Sequence, residues 1–378
     1  MKEEQAEEMK KLIKKMERIF SIISYAFLLG DADKMLKFIE QEEKIIKQFQ
    51  GDLPEKIKLL QTRWLGFRAV TYAYKGDLNL CLKDANELLR IGEFYDYERA
   101  TSFGKQAFGW YYVHSGDLDK ALEHLDRAIK VSEENLNDLL DFMFLADQVW
   151  YATKISIDKE DLERAKNYFK RLREVRELKP KEIFIHIPYR MAKAFLLKSS
   201  IRSRNRIMAE DILRKIIDNV ASYMGYKLEA LIGLCELLLV ELKVTNDVNV
   251  VSEIKPLLEK LIEMAQQSGL HFYLIEAQIL HGKLALIMFD MEGSRRHLTE
   301  AQQMAEKYGY IRLANEIAGL NKDMIDQKGR WEQMKKKDAP LSERMELARL
   351  EDHLKGKFRR LMMTMERAAE PPPKKEVF

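Results

Sequence analysis

The sequence predicts an all-α fold assembled from repeated helical hairpins, and three observations carry that prediction. Turn formers are scarce: 17 Gly and 8 Pro in 378 residues are about half the share of an average chain. Hydrophobic residues at 46% and charged residues at 33% suit a folded, water-exposed protein with a large core, not a disordered chain or a membrane bundle. Finally, Gly-Asp pairs punctuate the chain at a regular interval, at 30–31, 76–77 and 116–117. Collagen-like, disulfide-rich and strand-rich classes are excluded by the same composition.

Compartment and charge follow. Cys81 and Cys235 stand alone in apolar helical runs, the setting of buried, reduced thiols. The amino terminus, MKEEQAEEMKKLIKKMERIF, has acidic residues where a signal peptide needs a basic start followed by an apolar run, so it reads as a mature helix. The most apolar run, LEALIGLCELLLVELKV, is broken by Glu229, Glu236 and Glu241 and is not expected to span a bilayer. These features predict a cytoplasmic protein. Net charge is +3, with 64 basic and 61 acidic side chains, too balanced to indicate nucleic acid. Residues 328 to 378 hold 14 basic and 9 acidic side chains, so +5 sits there and −2 on the remainder.

The segment FGKQAFGWYYVHSGDLDKALEHLDRAIKVSEE holds two helical patterns around Ser115, Gly116 and Asp117. Gly109, Ala121 and Ala128 are small where two helices would touch, and Tyr112 supplies an aromatic between them. These six residues, Gly109, Tyr112, Gly116, Asp117, Ala121 and Ala128, match the pattern of a tetratricopeptide repeat (TPR) position by position, and the segment resembles one. Carrying the register along the chain places hairpin turns at Gly30, Gly76, Gly116, Glu160, Arg204, Asn249 and Phe289, spaced by 46, 40, 44, 44, 45 and 40 residues. That period exceeds the usual TPR length of about 34. Small residues recur after the turn as Cys81, Ala121, Ala165, Ala209 and Ser294, with Met35 and Ile254 departing from the rule. The long period is similar to the helical sensor domains of LuxR-type regulators, and LTEAQQMAEKYGYIRLANEIAGL resembles their helix grammar. HEAT-type hairpins are the structural alternative, but leave the Gly-Asp turns unexplained.

The expected architecture is a TPR-like α-solenoid of about seven hairpins over residues 1–327, each hairpin burying its apolar faces on its neighbours around a concave groove. Pro180 marks the link between the fourth and fifth hairpins, and IHIP at 185–188 predicts an extended Ile187 and a local break in the stacking. Residues 328–366 form a helical cap and 367–378, ending EPPPKKEVF, a disordered tail. The WE…APLSERMELARLE passage resembles the C-terminal part of archaeal multi-TPR proteins. Ser342 is its candidate helix cap, and Leu347, Leu350, Leu354, Phe358, Leu361 and Met365 make one apolar stripe. Beside that stripe Lys355, Lys357, Arg359 and Arg360 offer attachment to an anionic membrane or nucleic acid, whereas covering the last hairpin is the simpler role.

No metal or catalytic motif emerges. The seven histidines lack HExxH or paired Cys/His spacing, GKQAFG lacks the Walker order, and no GxSxG or GxGxxG is present. The chain is therefore expected to be a non-catalytic scaffold without a cofactor, and IRSRNR around Arg204 to be a solvated loop. The TPR resemblance implies a groove for protein or peptide, lined by the first helix of each hairpin. Phe103, Trp110 and His114 would form an aromatic patch in it. One position of that helix reads Lys154, Lys198, Lys243 and Lys283 in successive units, a row that predicts an acidic partner, or a mixed-charge one because Asp147, Glu236 and Glu276 share the face. A sensing regulator, in which a bound peptide or small molecule reshapes the superhelix, is the rival reading.

Overall fold

The computed structural model describes residues 2–47, 54–200, 202–219 and 222–348, and every regular element among them is an α-helix. Seven hairpins follow one another. They pair α1 (Lys2–Leu29) with α2 (Ala32–Lys47), α3 (Glu55–Lys75) with α4 (Leu78–Tyr95), α5 (Glu98–Ser115) with α6 (Leu118–Glu134), and α7 (Leu139–Asp158) with α8 (Leu162–Leu178). Then come α9 (Ile183–Lys198) with α10 (Ser203–Asp218), α11 (Met224–Thr245) with α12 (Asn249–Ser268), and α13 (His271–Ile287) with α14 (Met291–Lys307). The chain continues as α15 (Ile311–Asp326), α16 (Lys328–Lys337) and α17 (Leu341–Leu347).

The turns explain the period. In six hairpins a residue in the left-handed region is followed by Asp: Gly30 (φ 74°), Gly76 (94°), Gly116 (93°), Glu160 (62°), Asn246 (56°) and Phe289 (62°). The left-handed residue turns the chain back on the helix end, so the N–H groups of Asp31, Asp77, Asp117, Asp161 and Asp290 reach carbonyls five residues back, each at 2.9 Å. The Asp carboxylate then accepts an N–H of the next helix, from Lys34, Lys120, Arg164 and Gly293, at 2.8–3.1 Å. One residue type thus closes a helix and opens the next. Within hairpins the small positions are contact points: a Cβ on Gly109 would lie 2.9 Å from Leu125, and one on Gly282 2.9 Å from Leu298. Cys81 and Cys235 are buried free thiols.

Two expected turns are displaced. Arg204 lies inside the first turn of α10, because the fifth connection is residues 199–202 and lacks the Asp signature. Asn249 begins α12, and the true turn is Asn246-Asp247, three residues earlier. Ile187 is helical and buried, not extended, since Pro188 sits in the second turn of α9, where its missing N–H forfeits a single backbone bond. Stacking continues unbroken through α8, α9 and α10. Ser342 does not cap α17; Pro340 occupies that place with no side-chain bond.

The superhelix is tightly wound. Helix α1 meets α11, α3 meets α13 and α5 meets α15; each pair is ten helices apart, so one superhelical turn takes five hairpins. The first three glycine turns sit on the layer beyond. A Cβ on Gly30 would lie 2.6 Å from Met224, on Gly76 2.4 Å from Tyr308 and on Gly116 3.1 Å from Arg312. Polar contacts lock the same seam: Tyr310 donates its hydroxyl to the Ala73 carbonyl (2.9 Å) and His271 Nδ1 donates to the Lys75 carbonyl (2.7 Å). At the far end α17 lies against α11 and α13, burying Leu341, Met345 and Ala348, while Trp331 and Arg344 pack on Phe289. Leu350, Leu354, Phe358, Leu361, Met365, the basic residues between them and the tail lie outside the described residues. No helix among the described residues is long and apolar enough to cross a membrane.

Glycine is therefore required twice at Gly76, by its backbone angle and by Tyr308, but at Glu160 the same angle is held by another residue. Gly76→Ala should lower unfolding free energy by more than the roughly 1–2 kcal/mol of a left-handed alanine, whereas Glu160→Gly should change it by less than about 1 kcal/mol. Urea denaturation of the two variants checks this, and equal losses would show that the seam bears no weight.

Candidate binding site

The lysine row does not form an open band of positive charge. Lys154 on α7 pairs with Glu229 on α11 at 2.8 Å, and the Lys198 ammonium on α9 pairs with Glu236 on the same helix. Both lysines and both glutamates are largely withdrawn from solvent. Burial disfavours the charged Lys154, but the Glu229 and Asp158 carboxylates outweigh it and hold its pKa above the usual lysine range. Lys283 on α13 is buried too, beside Leu298, Leu320 and Met324. Lys243 is half-buried near the end of α11 and, with the turn at Asn246, stands three residues out of the row; buried Val240 takes its place. The two lysine–glutamate pairs join α11 to α7 and α9 within one superhelical turn.

The aromatic patch divides. His114 is buried on the superhelix axis, where its ring meets Tyr74 edge-on (4.7 Å), Phe272 (4.5 Å) and Tyr310 (5.8 Å). Tyr74 stacks on Tyr273 at 5.0 Å and shares a 2.6 Å hydrogen bond with Tyr151. This aromatic column fills the middle of what an open solenoid would leave as its channel. Phe103 lies behind the wall, 4.0 Å from Phe144. Trp110 faces open space.

That space is a cavity of about 500 Å³ between the inner faces of α1, α3, α5, α7, α9 and the start of α11. Phe20 and Phe27 come from α1, Phe67 and Val70 from α3, Trp110 from α5, Met143, Phe144 and Tyr151 from α7, Phe184 from α9, and Tyr223 and Tyr226 from the α11 end. Consecutive rings form a continuous lining: Phe27 lies 4.4 Å from Phe67 and 4.5 Å from Tyr223, and Phe67 lies 5.8 Å from Phe144. Phe27 and Tyr223 belong to the first and sixth hairpins, so one wall of the cavity is the superhelical seam itself.

A single carboxylate, Asp147, interrupts this lining. Its two oxygens accept from neutral donors, Tyr226 Oη at 2.6 Å and Gln106 Nε2 at 2.9 Å. Gln106 is itself fixed, because its amide oxygen accepts from Gln148 at 3.1 Å and so turns its nitrogen toward Asp147. Burial pushes the Asp147 pKa up to about 7, and the two hydrogen bonds pull it only part of the way back. Glu42 on α2 is the comparison: fully buried, it is pushed by burial to about 8 and only partly drawn back by the Trp64 indole of α3, and it does not line this cavity. In the sequence Asp147 signals only a charge on the inner face; its solitude needs the fold to be seen.

No protein-family model and no curated protein matches the chain. Among solved structures, the chain is similar to a signal-transduction ATPase with numerous domains (STAND) from Pyrococcus horikoshii that carries a tetratricopeptide repeat sensor. The identity is 16% and the TM-score 0.41, over 89% of this chain and 52% of that one. The chain thus spans about half the length of that protein. It is also similar to a Rap protein complexed with competence and sporulation factor, at 8% identity and TM-score 0.46, over 94% of this chain and 99% of that one. These are resemblances of helical-repeat architecture.

Two stability measurements follow from the buried charges. Lys198→Met leaves Glu236 buried without its cation and should cost about 3–5 kcal/mol, most of it regained in Lys198→Met/Glu236→Met; an additive double variant would refute the pairing. Asp147 is raised above its unfolded pKa, so the native state keeps a proton that the unfolded chain has released. Stability should therefore fall as pH rises from about 4 to about 7 and stay low above. Asp147→Asn removes that slope and should gain on the order of 2 kcal/mol over wild type at pH 8 relative to pH 5, less than the full shift because the cavity admits water. Parallel thermal melts at both pH values test it.

Proposed function

We propose that the chain is a non-catalytic helical-repeat binding protein whose partner occupies the aromatic cavity, not a continuous open groove. The observation that carries this reading is geometric. Along the axis the inner helices close on one another through the Tyr74 column and the lysine–glutamate pairs, and between α1, α7 and α11 they stand apart around an aromatic space. Its volume lies within the range of about 300–1,000 Å³ that holds small molecules or a few peptide side chains. Trp110 is the sequence-predicted groove residue with direct access, and Phe103 supports the wall through Phe144. Attraction of an acidic partner by Lys154 and Lys198 has little support, because Glu229 and Glu236 neutralise them at contact distance.

The sensing reading gains from the same geometry. The cavity wall includes the Phe27–Tyr223 contact, and Gly30 packs on Met224 beside it. An occupant would thus touch both sides of the seam, so its binding energy would be linked to opening or closing of the superhelix. The test is a neutral solvatochromic dye, Nile red, titrated into wild type and Met143→Trp, a substitution that fills the cavity from its half-buried rim. Wild type should bind with a blue shift and quench Trp110, while the filled variant should bind at least about tenfold more weakly with little change in melting temperature. Equal binding by both proteins overturns the cavity reading.

A further inference from the structure

The charge inside this cavity is unbalanced, and the imbalance specifies a ligand class. Three buried carboxylates elsewhere in the described interior meet cations: Glu229 meets Lys154, Asp84 meets Arg68 at 2.7 Å, and Asp141 meets Arg99 at 2.5 Å, whereas Glu42, buried with only the Trp64 indole beside it, does not line this cavity. Asp147 meets only a phenol and an amide. A carboxylate has about four acceptor sites, so the side of Asp147 not held by Tyr226 and Gln106 remains open to a cation arriving from the cavity. Around it stand the faces and edges of Trp110, Phe144, Tyr151, Tyr223 and Tyr226, groups whose negative ring faces attract organic cations, quaternary ammonium above all. An anion would meet the carboxylate and the same ring faces unfavourably. A hard metal ion would find one carboxylate and neutral phenols where it needs six or more oxygens.

We infer that the cavity binds a small organic cation, an ammonium group on an apolar body, with its head beside Asp147 and its body against Phe27, Phe67 and Phe144. This deepens the proposed function and rests on it. The head would supply the charge that the chain withholds from Asp147, and the body would fill the space that these rings line. Neutral Gln106 and Tyr226 hold the carboxylate in place without satisfying its charge, which keeps it available to the ligand.

The test uses two probes of one shape: phenyltrimethylammonium, which is charged at every pH, and its hydrocarbon isostere tert-butylbenzene. At about pH 8.5 calorimetry on the full chain should show the cation binding roughly tenfold or more tighter than the isostere. Asp147→Asn should abolish that preference while leaving hydrocarbon affinity unchanged. In wild type the preference should also fade by about pH 5.5, as Asp147 takes up a proton. The titratable groups facing it are the phenols of Tyr151, Tyr223 and Tyr226, all pushed well above 10 by burial, so Asp147 alone changes charge over that interval. Equal affinity for the two probes, or a preference that survives Asp147→Asn, overturns the inference but leaves the cavity reading standing. Binding of neither probe overturns it as well, and the Nile red titration then shows whether the cavity reading falls with it. An apolar peptide with a free amino terminus that binds where phenyltrimethylammonium does not would also overturn the small-cation assignment.

Discussion

The structure depends on one constraint: the superhelix closes on itself after five hairpins. Closure brings the glycine turns at Gly30 and Gly76 against Met224 and Tyr308 at distances that leave no room for a Cβ with its neighbour in place, and Gly116 against Arg312 at a tight 3.1 Å. A solenoid whose repeats touch only their neighbours has stability that is a sum of local terms. Here the first hairpins also touch those one superhelical turn away, so contacts distant in sequence reinforce the stack. The inner faces, which an open solenoid would display to a long partner, meet across the axis instead.

Closure also decides where charge can reside. Near the axis a lysine must either find a carboxylate on a facing helix or lose its charge, and Lys154 and Lys198 find Glu229 and Glu236 on α11. Such pairs contribute little net free energy over a well-packed apolar contact, but they penalise any register that separates them. Asp147 sits in the same interior without such an answer, beside space that an additional layer of side chains could have filled. At Asp147, unlike at Glu42, a missing cation and a missing volume occur at one place.

Much of this fold is legible in the sequence because its turns obey local rules. Gly-Asp at three turns gives both the hairpin and the period, and the small residues Ala121, Ala165 and Ser294 follow from it. The rule is nevertheless broader than glycine. Glu160, Asn246 and Phe289 adopt the same left-handed angle; after Glu160 and Phe289 the Asp closes one helix and caps the next, whereas Asp247 donates its N–H to Thr245 Oγ1 and accepts from the Asn249 N–H. A register that followed a fixed spacing therefore overshot Asn246 and placed Lys243 in a row to which it does not belong. Side-chain direction was readable too, for Trp110, Asp147, Lys154 and Lys198 point inward. What they point at was not readable, since winding at five hairpins per turn is a property of the seam and joins residues such as Tyr74 and Tyr273, while Lys154 and Glu229 meet across two hairpins of one turn, and no local pattern connects either pair.

The seam and the cavity finally have to be considered as one mechanical unit. Tyr223 closes the cavity against Phe27 and immediately precedes Met224, the residue on which Gly30 rests. A ligand that draws the rings together would tighten that contact, and one too large for the space would pry it apart. Because Tyr226, one turn further along α11, also donates to Asp147, the start of α11 carries the seam, the wall and the polar anchor together. Helix α11 in turn holds Glu229 and Glu236, which grip α7 and α9. On the proposed sensing reading, a displacement of its first turn would be passed to the fourth and fifth hairpins through these paired charges. The only free energy available to such a displacement is the difference in ligand affinity between the closed and opened superhelix. An occupant that neutralises Asp147 provides that difference when its head group reaches the carboxylate solely with Tyr226 in place.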